Sequence, residues 1–215
     1  MEKRTEKILS DLEESIKFFS ELGIASLSAD KPGPSIEERI LRCRLCPLSA
    51  SRTKAVPGEG SGDADLMFVG EAPGRDEDLQ GKPFVGKAGQ LLTKILKAMN
   101  FERHDVYITN VVKCRPPNNR EPNAEEMEQC KGYLMEQIEQ IAPKVIVTLG
   151  NVPTHFFIPS KKGVTALRGD FYPYNDILVM PTFHPSYLVR NEGNRLLRKN
   201  VWEDMKKVMA FLGKQ

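Results

Sequence analysis

The stretch that constrains this chain most runs from Ala64 to Leu92, ADLMFVGEAPGRDEDLQGKPFVGKAGQLL. It opens with Leu66-Met67-Phe68-Val69, an apolar run of the length a buried strand needs. Gly70 ends the run, and a lone acid, Glu71, follows at once. Ala72-Pro73-Gly74 reads as a turn. Three acids (Asp76, Glu77 and Asp78) come next, and after Gly81 and Pro83 an aromatic, Phe84, sits in a loop. A helical pattern starts near Gly86 and carries Leu91-Leu92, Ile95-Leu96 and Met99. A buried strand that feeds a polar loop and then a helix with a small-residue start is how open α/β sheets build ligand sites.

The rest of the chain repeats the alternation of strand and helix. Strands are predicted over 64–70, 106–112, 144–149 and 177–180. Asn123, with Glu126 three residues on, forms a capping box for a long helix that ends before Pro143. A short helix and a hairpin are expected before the fourth strand, the hairpin over about 163–174, and a final helix carries Trp202. The pattern predicts a three-layer α/β/α sandwich around a short, mostly parallel, four-stranded sheet. This domain is expected over residues 36–215. Ahead of it, residues 2–22 read as an amphipathic helix with Ile8, Leu12, Ile16, Phe19 and Leu22 on one face. The Pro- and Gly-containing run 23–35 reads as a linker, so 1–35 forms a separate N-terminal segment.

No apolar run approaches the roughly 18 residues of a membrane span. The N-terminus, MEKRTEKILSDLEES, is charged throughout and has no signal-peptide core, so a cytoplasmic protein with no membrane partner is expected. The net charge of +2 is unevenly spread. Residues 1–40 hold 6 Lys/Arg against 9 Asp/Glu, whereas 184–215 hold 7 against 3. A local basic face suits a phosphate backbone, although a solvated basic helix has the same composition.

Four cysteines stand at 43, 46, 114 and 130. A Cys-x-x-Cys pair plus two distant cysteines suits a tetrahedral thiolate site, with an iron–sulfur cluster or zinc as the candidates and unrelated buried thiols as the bland alternative. Cys114 is followed by Arg115-Pro116-Pro117, and Cys130 falls within a helix, so this is no zinc ribbon. The segment Gly81-Lys-Pro-Phe-Val-Gly86-Lys87-Ala88 comes close to a nucleotide-binding P-loop. The match fails because Ala88 offers magnesium no hydroxyl and Pro83 removes a phosphate-cradling N–H.

Three separated segments place functional groups at strand ends: Glu71, Glu77 and Phe84 in the first loop, Asn110 in the second strand, and His184 after the fourth. Alone, each has an ordinary structural reading. Together they form an aromatic platform, an amide reader and an imidazole beside a basic helix, which fits a flipped nucleobase.

At these residues the chain resembles a known family. GEAPGRDEDLQGKPFVGKAGQLL, TNVVKCRPPNNREP and FHPSYLVRN are similar to the signature segments of the family 4 uracil-DNA glycosylases, the iron–sulfur members of their superfamily. The resemblance runs from about Cys43 to the final helix and includes all four cysteines. It implies a monofunctional enzyme that hydrolyses the N-glycosidic bond of deoxyuridine in single- or double-stranded DNA, in base excision repair, as a monomer. It implies a 4Fe–4S cluster on Cys43, Cys46, Cys114 and Cys130. Phe84 is expected to stack on uracil, Asn110 to read its N3–H and O4 edge, and His184 to donate to O2. Glu71 and Ala72 are expected to line the pocket beside the sugar, Leu188 to wedge into the gap left by the base, and Arg190 to touch phosphate. Ala72 stands where relatives carry a water-orienting Asp, which leaves Glu71 or Glu77 to assist catalysis. Gly74 stands where they carry a Tyr against the thymine methyl, a space Glu77 is expected to fill. Arg115–Glu121 contains no His, which implies hydrolysis rather than covalent capture. The alternative is a non-catalytic iron–sulfur DNA-binding or redox-sensing protein on the same scaffold.

Overall fold

A computed structural model describes residues 14–18, 20–21 and 33–214. The chain divides into two units, Met1–Ser35 and Ile36–Gln215. In the first, residues 14–18 and 20–21 are helical. The rest of the helix expected over 2–22, and the linker as far as residue 32, lie outside the described residues. Among the described residues no helix is long and apolar enough to cross a membrane.

The second unit is built on a six-stranded sheet: β1 (Glu59–Gly60), β2 (Leu66–Gly70), β3 (Tyr107–Asn110), β4 (Val145–Leu149), β5 (Tyr172–Tyr174) and β6 (Ile177–Thr182). The spatial order is β1-β3-β2-β4-β6-β5. β3, β2, β4 and β6 are the four expected strands and run parallel. β1 and β5 add short antiparallel edges, which raises the predicted four strands to six. β5 belongs to the region read as a hairpin, but its partner is β6, while Val164–Leu167 upstream is a turn of helix.

The helices of this unit are α1 (Ile36–Arg42), α2 (Leu48–Ser51), α3 (Arg75–Gln80), α4 (Lys87–Ala98), α5 (Ala124–Ile141), α6 (Asn151–Phe157), α7 (Val164–Leu167), α8 (Pro185–Arg190) and α9 (Arg195–Phe211). β2 and β4 are buried at every residue because both faces of the sheet are covered. The strand period of two sorts their side chains. Leu66, Phe68, Val145 and Val147 enter one core with Leu92 and Leu96 of α4 and Val201 and Met205 of α9. Met67, Val69 and Ile146 enter the other with Leu134 and Ile138 of α5, Ile40 of α1 and Phe157 of α6. The result is three layers. The chain leaves β2 toward α4 on one face and leaves β4 toward α6 on the other. A crevice therefore opens between their C-terminal ends, as at the switch point of any open α/β sheet.

The acids at 76–78 lie on α3, in a segment read from the sequence as loop. Gly81 ends that helix in the left-handed conformation, at φ 77°. α5 begins as the sequence predicts. The Asn123 side chain accepts from the Glu126 N–H at 2.8 Å, and the Glu126 carboxylate accepts from the Asn123 N–H at 2.8 Å. Asn123→Ala removes the first of these and should cost about 1 kcal/mol. In a domain of this size that is a fall of roughly 2–4 °C in the thermal midpoint, measurable by circular dichroism.

Candidate active site

The crevice widens into a cavity of about 650 Å³. Its walls come from the C-terminal ends of all four parallel strands: Glu71 after β2, Asn110 of β3, Gly150 after β4 and His184 after β6. The sequence singled out three of these residues, and the fold brings them to one place.

Phe84 forms one wall. Its φ of 51° is left-handed, a region bulky side chains avoid, so the surroundings must hold it there. They do so from both sides. Arg103 donates to the carbonyls of Pro83 (2.7 Å) and Phe84 (3.1 Å). Glu77 Oε1 accepts from the N–H groups of Val85 (2.9 Å) and Gly86 (3.0 Å). Glycines permit the close approach. A Cβ on Gly70 would lie 2.6 Å from Phe84 Cζ and would also collide with Asn110 Oδ1. A Cβ on Gly89 would strike the Phe84 backbone, its Cα at 2.7 Å.

Asn110 is 1% exposed. Among the described residues its Oδ1 is a buried side-chain acceptor with no hydrogen-bond partner. Such an atom is costly unless something arrives to donate to it. Its backbone is fixed from below by Lys113, a fully buried lysine whose ammonium donates to Thr109 Oγ1, the Asn110 carbonyl and Gln137 Oε1, each at 2.7 Å. All three ammonium donors are thereby matched.

His184 caps α8. Its Nδ1 accepts from the Ser186 N–H at 3.0 Å and lies 2.7 Å from Ser186 Oγ, which in turn accepts from Arg190 Nη1 at 3.3 Å. A nitrogen that accepts from a backbone amide carries no proton, so the ring proton is on Nε2. Burial, with Arg190's charge adding to it, pushes the His184 pKa down to about 4, so the imidazole is neutral at ordinary pH. The ring lies 5.7 Å from Phe84, centroid to centroid. Across the cavity, burial and the nearby charge of Glu121 push the Glu71 pKa up to about 7. The cavity thus holds a ring face, an unsatisfied amide oxygen, a neutral N–H donor and a carboxylate that titrates near neutrality.

Other expected residues stand differently. Glu77 lines the cavity, but Oε1 is engaged by two amides, and Oε2 lies 2.7 Å from where a Gly74 Cβ would be. It holds the Phe84 loop and fills the space over Gly74, so it is no free base. Ala72 and Arg190 line the cavity, Arg190 at the exposed rim. Leu188, expected to enter DNA, is 3% exposed and packed in the α4–α9 core. Sequence reading missed Arg103, Lys113 and Ser186. A lone Arg or Lys carries no local signal that it will be buried as a clamp, and only Ser186, in His-Pro-Ser, stood within a segment already singled out.

The four cysteines line a second, smaller cavity between α1, α5 and the segment after β3. None is disulfide-bonded, and Cys114 and Cys130 are buried. Among the described residues no three Cys, His, Asp or Glu side chains are gathered tightly about one ion position. The surroundings suit sulfur ligands of a cluster. Arg52 donates to Cys114 Sγ at 2.9 Å, the Lys113 N–H to Cys130 Sγ at 3.3 Å and the Leu45 N–H to Cys43 Sγ at 3.5 Å. Hydrogen bonds of this kind are those that iron–sulfur ligands accept. Arg52 also donates to the carbonyl of Cys43 at 2.8 Å, joining two of the cysteine segments. Burial pushes the Cys130 thiol up to about 11, so holding this side chain as a thiolate takes a positive partner such as a metal.

Comparison with known proteins agrees with this geometry. Residues 57–206 match the model of the Uracil DNA glycosylase superfamily. The chain is 50% identical to the Type-4 uracil-DNA glycosylase of Thermotoga maritima over 84% of its length and 94% of the relative's. It is 48% identical to that of Sulfurisphaera tokodaii over 80% of this chain and 81% of the relative. Identity to the Type-5 uracil-DNA glycosylase of Pyrobaculum aerophilum is 33%, over 81% of this chain and 91% of the relative. The chain belongs to the uracil-DNA glycosylase superfamily and, within it, to the type-4 uracil-DNA glycosylases.

Proposed function

We propose that this protein releases uracil from DNA by hydrolysing the N-glycosidic bond of deoxyuridine, leaving an abasic site, and that the cavity at the strand ends receives the flipped base. The observation that carries the reading is the unpartnered, buried Oδ1 of Asn110 beside Phe84. Uracil N3–H is the donor that oxygen lacks. With the amide held in this orientation, cytosine offers a lone pair at N3, which would leave the oxygen unsatisfied, and a site of this kind rejects the wrong base by a large factor.

Each residue then has a task. Phe84 stacks on the base, and the amide of Asn110 takes N3–H and donates to O4. The bond between C1′ and N1 breaks with its electron pair going to uracil, and negative charge appears at O2. His184 meets it with Nε2–H. A neutral donor fixed in advance needs no rearrangement as the charge develops, and one such donor is worth roughly 10²–10³ in rate. Water adds to the oxocarbenium-like sugar at C1′, and its proton passes to Glu71. The cavity is built from one chain, so a monomer acting on single- or double-stranded DNA suffices. The basic residues of α8 and α9 are the phosphate-facing surface in this reading.

Cys43, Cys46, Cys114 and Cys130 would hold a 4Fe–4S cluster. When bound, it supplies a structural cross-link between the segment after α1, the segment after β3 and α5.

The direct test is release of free uracil from a uracil-containing oligonucleotide, with a matched cytosine strand inert. Absence of release would leave only a binding protein on this scaffold. Gly70→Ala should lower the rate at least about 10²-fold with the far-ultraviolet circular dichroism retained, because its methyl group displaces the stacking ring and the reading amide and has no φ penalty of its own. The pH dependence follows from Glu71. Its base form predominates above its pKa of about 7, so the single-turnover rate should rise through that pH and level off. Glu71→Gln should be slow and should lack that limb. A cluster predicts about four irons per chain in anaerobically purified protein, by elemental analysis. Stoichiometric zinc without iron would contradict it.

A further inference from the structure

A flipped nucleotide leaves a gap in the duplex, and proteins that open DNA commonly fill such a gap with an apolar or aromatic side chain. Leu188 cannot serve here. It is 3% exposed and belongs to the same hydrophobic core as Leu92 and Leu96 of α4 and Met205 of α9, and withdrawing it would open that core. The residue before it is placed the other way. Tyr187 is 40% exposed and lines the mouth of the cavity. Its backbone is fixed to the base-holding machinery, because its N–H donates to the His184 carbonyl at 2.9 Å and its carbonyl accepts from Asn191 Nδ2 at 2.8 Å. Its ring lies 5.6 Å from that of Phe183, which is buried and backs it from the protein side. It stands three positions after His184, the N-cap of this short helix, a spacing that makes the two side chains neighbours.

We propose that Tyr187 is the side chain that stacks into the duplex where the flipped nucleotide has left, with Phe183 behind it as a stop. The inference rests on the glycosylase reading of the cavity. An aromatic ring suits the task, since every base offers a π-face and stacking is tolerant of sequence. The requirement belongs to duplex DNA alone, because a single strand has no opposite base stack to collapse.

The test compares uracil release from one oligonucleotide, as a single strand and as a duplex, by the wild type and by Tyr187→Ala, Tyr187→Phe and Leu188→Ala. Tyr187→Ala should lose about tenfold or more in kcat/KM on the duplex and less than about threefold on the single strand, with an unchanged thermal midpoint. Tyr187→Phe should retain duplex activity, because the ring rather than the hydroxyl is needed. Leu188→Ala should lower the thermal midpoint and leave the ratio of duplex to single-strand activity unchanged. Equal loss on both substrates in Tyr187→Ala, or none on either, overturns the assignment. So does a duplex-selective loss in Leu188→Ala at an unchanged midpoint. A wild-type protein silent on both substrates would instead overturn the glycosylase reading, and this assignment with it.

Discussion

Two strands buried on both faces, β2 and β4, carry this protein. Their parallel pairing forces the chain to cross over between them, and the crossovers cover opposite faces of the sheet. The crevice at their ends is a consequence of that topology and needs no residue chosen for it. Chemistry enters through what the strands deliver at their last residues. β2 ends in a glycine, β3 in a buried amide, and β6 runs into a histidine that caps the next helix.

Position within the crevice is then set by polar contacts that cost little individually. Phe84 would not hold a left-handed backbone in an isolated loop. The carbonyls of residues 83 and 84 are tied to Arg103, and the amides of 85 and 86 to Glu77, so the segment has one arrangement. Strain at a functional residue persists where its neighbours over-determine it. Asn110 is treated the same way from beneath by Lys113, whose own N–H meets a cysteine sulfur. The cysteine cavity and the reading amide thus share one buried lysine, so the order of one depends on the other.

The sequence made the frame of this arrangement legible and left its clamps obscure. Val145–Leu149 and Leu66–Gly70 read as strands because continuous apolar runs of that length mark sheets covered on both sides. The Asn123 capping box is local, and local signals survive without tertiary knowledge. Asn110 stood out as an amide inside a predicted strand, and His184 as an imidazole in the loop that follows one. β1 and β5 have too few residues to show a period. α3 was hidden by the Pro73-Gly74 that precedes it, although Gly81 marked its end. Glu77 drew notice as an acid, yet its role depends on amides eight and nine residues away that only the folded loop presents. Leu188 shows the reverse error: the motif suggested its exposure, and six residues of helix cannot tell which side faces the core.

The proton on His184 is placed by a main-chain group, the N–H of residue 186. A main-chain amide is present in every amino acid except proline. The tautomer therefore does not require a particular side chain at position 186, and serine's hydroxyl adds a second contact. Burial keeps the imidazole neutral, but the information that sets its tautomer is stored in backbone geometry, where no comparison of side chains would find it.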